Sequence, residues 1–155
     1  MALPVNISDL IHQRVVESTR IEYKGDWNPE PVIHSITAFA NDFDNLGGGY
    51  IILGIEEKNG RPVFPLKGLN PDALDAIQKD ILNKCNLIEP RYIPVVEPKV
   101  IDGKDILVLW VPGGDDRPYK CPEKVYTEKS REKSEKAFYI RKLATSHSQE
   151  QWQLQ

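Results

Sequence analysis

Residues 50–55 of this chain, Tyr50, Ile51, Ile52, Leu53, Gly54 and Ile55, carry almost no polar side chain, and three consecutive glycines, Gly47, Gly48 and Gly49, lead into them. A strand with one wet face alternates apolar and polar residues. A short run without that alternation fits a strand covered on both faces. The run therefore predicts a central strand. With 155 residues, 40% of them hydrophobic, the chain is long enough to bury a real core around it.

The flanking segments predict the other layers. Residues 7–16 read as a short helix with Asn6 or Ser8 as its cap. Residues 20–24 alternate, with Ile21 and Tyr23 on one side and Glu22 and Lys24 on the other, which is a strand pattern. Residues 32–43 form a helix with Val32, Ile36, Phe39 and Phe43 on one face, and Pro31 suits its first turn. Asn59 and Gly60 mark a turn. Residues 71–87 form a second long helix, capped by Asn70, with Leu74, Ile77, Ile81 and Leu82 inward. Strands over 92–100 and 105–111 join at Asp102 and Gly103, a hairpin signal. A further strand pair is expected at 124–127 and 137–141. The polar last ten residues read as a tail or as the start of a following segment. The expectation is an α+β fold with a mixed β-sheet and about three helices, in one domain over 1–155 whose core spans about 8–146.

Charge is unevenly spread. The net charge is -3, yet Arg117 to Lys142 holds nine basic and four acidic residues. That segment is either a solvated loop and hairpin or a patch that grips phosphate. Cys85 and Cys121 stand alone, without a CxxC or Cys/His spacing, and read as free thiols in a reducing compartment. Neither a signal pattern nor a run long enough to span a bilayer is visible, so the chain reads as cytoplasmic, with no membrane partner.

Two stretches carry chemistry. On a strand, Glu22 and Lys24 share a face, so a carboxylate and an ammonium sit side by side. Glu17 precedes them by five residues and is able to fold back toward them. Glu56 and Glu57 follow the apolar strand and point to opposite faces. Carboxylates arranged this way either hold a hard divalent cation such as Mg or Mn, with lysine polarising water or phosphate, or form a solvated surface pair. The glycine run is either an anion cradle or a tight helix-to-strand connection. It is no P-loop, because GxxxxGK[ST] is missing, so no ATP motif is seen. A helix precedes it and a strand follows, which is the wrong order for a dinucleotide fingerprint. His12, His34 and His147 suggest no nucleophilic pair.

Glu17, Ser18, Thr19, Glu22 and Lys24 together resemble the opening motif of the Schlafen/AlbA-like nucleic-acid-binding domains. Ala38, Phe39, Ala40 and Asn41, with Gly48, Gly49, Gly54 and Ile55, are similar to the second motif. Val108, Val111, Pro112, Pro118, Tyr119, Tyr139, Arg141 and Thr145 are similar to later ones. The resemblance covers about residues 8–146 and implies an α+β, Schlafen-core-like half. It further implies a nucleic-acid-binding domain, in some members a metal-dependent endoribonuclease acting on structured RNA such as tRNA. The metal ligands would be Glu17, Glu22 and Glu56, or Glu57 in its place, with Lys24 at the scissile phosphate. The family often has aspartates where Glu56 and Glu57 stand. Lys120, Lys129, Arg131, Lys133, Arg141 and Lys142 would grip the backbone of RNA or DNA. The alternative is a non-catalytic DNA-binding regulator. A third reading, a protein-interaction module or homodimer, would use Trp27, Trp110 and Trp152, although Trp110 also reads as core.

Overall fold

The computed structural model of the chain describes residues 5–13, 20–43, 45–125, 135–142 and 145–148, and for 141–142 and 145–148 the backbone alone. Helix α1 spans Ile7–His12, and its cap is Asn6, whose side chain accepts from the Asp9 N–H. Strand β1 spans Ile21–Lys24. Helix α2 spans Pro29–Asn41, with a proline in the first helical turn where no N–H partner is lost. Strand β2 spans Gly49–Leu53. Strands β3, Glu57–Lys58, and β4, Arg61–Pro62, form a small hairpin. Asn59 and Gly60 between them both have positive φ, the backbone a two-residue hairpin turn needs. A single 3₁₀ turn over Pro71–Ala73 leads into α3, Leu74–Cys85. Strands β5, Val95–Ile101, and β6, Lys104–Val111, turn at Asp102 and Gly103, again with positive φ at both. Strands β7, Lys120–Pro122, β8, Lys136–Lys142, and β9, Thr145–Ser148, complete the described chain.

The main sheet is mixed and has four strands in the order β1-β2-β6-β5. β1 runs parallel to β2, which is antiparallel to β6, and β6 is antiparallel to β5. The expected α+β architecture is therefore present. The apolar run forms a central strand covered on both faces, as its composition requires. Ile51 and Leu53 face a core shared with Ile33, Ile36 and Phe39 of α2 and Ile81 and Cys85 of α3. Tyr50 and Ile52 face a second core with Tyr23 and with Ile7 and Ile11 of α1. The second sheet, β7-β8-β9, supplies Cys121 and Tyr139 to the α2 core.

Several expectations are corrected. Phe43 is not on the inward face of α2. Asp42 takes a left-handed backbone, φ 43°, which ends the helix, and Phe43 is left half exposed. On α3, Cys85 rather than Leu82 turns inward, and Leu82 is exposed. Of the strand expected at 124–127, Lys124 and Val125 lie in no strand and 126–127 fall outside the described residues; the strand that pairs with β8, through Lys120 and Phe138, is β7. β9 was not expected: its polar residues carry no apolar period, and antiparallel pairing with β8 alone defines it. Trp27 is partly buried rather than an open docking group, and its indole N–H donates to Asp80 Oδ2 at 2.7 Å. Trp110 is partly buried against the second core, and Trp152 lies outside the described residues.

One contact had no sequence signal. His12 Nε2 lies 2.9 Å from Asp102 Oδ1, and Ser8 Oγ lies 3.1 Å from His12 Nδ1. The pair pins α1 to the β5–β6 turn, ninety residues away.

Candidate functional site

Glu22 lies beside Ile51 and Lys24 beside Leu53 in the parallel β1–β2 pairing. Ile51 and Leu53 face α2, while Tyr23 faces the opposite core. Both polar side chains of β1 therefore turn toward the α2 side, as the alternation predicts. Glu22 is only 5% exposed, and Lys24 is half-buried.

Glu56 reaches the same strand from another direction. The Gly54 and Ile55 N–H groups both donate to the Lys24 carbonyl, at 2.8 and 3.2 Å, so the chain leaving β2 wraps round the end of β1. There Glu56 lies over Gly25: a Cβ on that glycine would sit 3.1 Å from Glu56 Cγ. Lys67 Nζ stands 3.9 Å from Glu56 Oε1 and 3.9 Å from Asp26 Oδ2. All three side chains are exposed, so these pairs are worth under ~1 kcal/mol. Asp26 and Lys67 were missed from sequence. Asp26 resembles any turn residue, and Lys67 arrives only because the Gly68 N–H bonds the Gly54 carbonyl.

Glu57 goes elsewhere. It is exposed at the start of β3, and its Oε2 accepts the Gly60 N–H at 2.8 Å, closing its own hairpin. Glu17 lies outside the described residues. Among the described residues, no three His, Cys, Asp or Glu side chains gather closely enough to share a metal ion. Glu22 and Glu56 alone thus do not furnish the oxygen set that Mg or Mn takes.

The glycine run is a connection. The Leu46 and Gly47 N–H groups are taken by the Asp42 carboxylate, at 2.8 and 3.0 Å. A Cβ on Gly48 would sit 1.9 Å from the Val111 carbonyl oxygen, and one on Gly49 would sit 2.3 Å from the Phe39 ring. Close packing, rather than an open anion cradle, is what these glycines permit.

Asn41, at the end of α2, is buried. Its Nδ2 donates to the Tyr119 carbonyl at 3.0 Å and to the Tyr139 carbonyl at 2.7 Å, and its Oδ1 accepts the Tyr119 N–H at 2.5 Å. It joins the main sheet's helix to the second sheet.

Of the basic residues, Lys120 is half-buried on β7, and its backbone bonds Glu89 in both directions. Lys136, not singled out from sequence, bonds the Glu89 carboxylate. That bond, and then the lysine's charge, hold the Glu89 carboxyl below its usual range. Arg141 and Lys142 lie on β8; Lys129, Arg131 and Lys133 lie outside the described residues.

The Schlafen, AlbA_2 family profile matches residues 17–149. The chain belongs to this family. Its Schlafen/AlbA_2 fold is similar to the solution structure of the N-terminal domain of a RecG-related protein from Nitrosomonas europaea. That likeness has a TM-score of 0.58 and 24% identity, over 86% of this chain and 88% of the other. It is also similar to the DIP2311 protein from Corynebacterium diphtheriae, with a TM-score of 0.52 and 18% identity, over 87% of this chain and 23% of the other. No curated protein matches. In this Schlafen/AlbA_2 member, the second motif splits into two structural jobs: Asn41 bridges the sheets, and the glycines let β2 pass close to Phe39 and β6. No helix of the described residues is long and apolar enough to cross a membrane.

Proposed function

We propose that this Schlafen/AlbA_2 domain binds nucleic acid through its second sheet. The observation that carries the reading is the gathering of basic residues into one segment, Arg117 to Lys142, which builds β7 and β8 against the end of α2. Family membership supports it, as does the likeness to a domain of a RecG-related protein. Lysines and arginines that contact phosphates grip RNA or DNA without reading its sequence. A salt titration tests this. The affinity for structured RNA and for duplex DNA falls steeply between low and physiological salt, and replacing Arg141 and Lys142 by alanine lowers the slope by about one per lost phosphate contact. Absence of binding to either at low salt refutes the reading.

Metal-dependent RNA cleavage is the narrower proposal. The burial of Glu22 beside Lys24 supports it, in the position of the family's opening motif. Glu22 and Glu56 would need Glu17 to complete a ligand set for Mg or Mn. Incubation of structured RNA with manganese is expected to give cleavage by the native protein and none by Glu22→Gln, with Glu57→Ala as active as native. Equal activity of the native and Glu22→Gln proteins removes the catalytic assignment.

A further inference from the structure

We propose that the cavity beside the end of α2 receives one unstacked base of a single-stranded nucleic acid. This rests on the nucleic-acid reading above and gives it a substrate class.

The cavity is a cleft open to solvent with a volume of about 600 Å³, a size typical of small-ligand sites. Phe43, Phe138, Ile140 and Pro118 give it apolar walls, two of them aromatic, and Arg117 and Asn45 give it polar edges. The left-handed turn at Asp42 puts Phe43 there, half exposed, instead of in the helix core. Arg117 is held by its Nη1, which donates to the Asn41 and Asp42 carbonyls at 3.4 and 3.5 Å and stands 3.7 Å from the Asp42 carboxylate. A guanidinium carries five donors, so the same group also has N–H groups for a ligand's acceptors. Asp42 also lines the cavity, but its carboxylate presents little bare charge: its side chain is 7% exposed, pairs with Arg117 and takes the Leu46 and Gly47 N–H groups.

A π-face with donors at its rim is what a splayed-out base requires, and stacking on an aromatic ring tolerates any base. A base inside a duplex is already stacked and paired and does not reach such a cavity. Charge favours nucleic acid over an apolar peptide as the occupant. Arg117 lines the cavity, and Phe138 lies opposite Lys120 across β7 and β8, so a phosphate chain leaving the cavity on that side meets Lys120. The site is also separate from Glu56. The loop holding Gly47 approaches Arg20 at the start of β1, whereas Glu56 packs at its other end.

The test uses a short single-stranded oligonucleotide carrying one 2-aminopurine, and a duplex of the same sequence. Binding to the native protein is expected to change the fluorescence of the single strand. Phe43→Ala is expected to weaken single-strand binding about tenfold or more, while Phe43→Tyr restores it and duplex affinity stays unchanged. The proposal is overturned if Phe43→Ala binds single strands as the native protein does, or weakens both nucleic acids alike. It is overturned equally if an apolar peptide, and no single strand, occupies the cavity. If the native protein binds duplex and not single strand, this inference alone falls. If it binds neither, the nucleic-acid reading falls with it.

Discussion

Asn41 shows how one amide can determine whether two sheets stay together. Its three bonds satisfy one N–H and two carbonyls of Tyr119 and Tyr139 in a buried place. In Asn41→Ala those groups lose their partner, and each buried polar orphan costs about 1–3 kcal/mol. A loss of roughly 3 kcal/mol or more is expected, read as a lower urea midpoint by circular dichroism. Glu57→Ala removes one exposed bond to Gly60 and is expected to change stability by under ~1 kcal/mol in the same assay. The family motif in the sequence marks Asn41, but its work is invisible there, because its partners lie 78 and 98 residues further on. The same limit hid Lys67. Charge and spacing mark Glu22 and Lys24 because one strand carries both, whereas Lys67 joins Glu56 only through a loop crossing.

Among the elements, the glycine connection separates two kinds of constraint. At Gly48 the φ is +79° and a side chain would run into the Val111 carbonyl, so neither backbone nor space allows substitution. Gly47 has φ +89°, but the nearest atom to an added Cβ is the far end of Arg20, at 3.5 Å. Gly48→Ala is expected to prevent stable folding. Gly47→Ala is expected to cost only the left-handed backbone penalty, roughly 1–2 kcal/mol. Thermal melts of the two variants check the contrast. Local chemistry is also why so many elements were readable: the apolar run of β2, the Asn59–Gly60 and Asp102–Gly103 turns, and the Asn6 and Asn70 caps all act within a few residues. β7, β9 and the end of α2 were misread or missed because pairing with β8, and one left-handed residue at Asp42, set them from outside their own pattern.

Across the whole molecule, two cores back to back on one sheet leave both thiols in the interior. Burial pushes Cys85 and Cys121 up from about 9 to about 12. Below pH 9 the thiols keep their protons in folded and unfolded chains alike. Between about 9 and about 12 the unfolded chain releases them and the folded chain does not, so stability falls as pH rises. The expected slope is about 1.4 kcal/mol per pH unit for each thiol, measured by urea unfolding. Burial also raises the Tyr92 and Tyr139 phenols, with the same sign at still higher pH. At pH 8 a thiol reagent is expected to label the native protein slowly and the urea-unfolded protein at once. Finally, the amide that ends α2 finds its partners only near Tyr119 and Tyr139. A chain emerging from the ribosome would build α1, β1, α2 and β2 early and wait 78 to 98 residues beyond Asn41 before this joint could close. The second sheet is made after these layers and locks them, so a truncation before Tyr119 would leave the N-terminal layers present but unlatched.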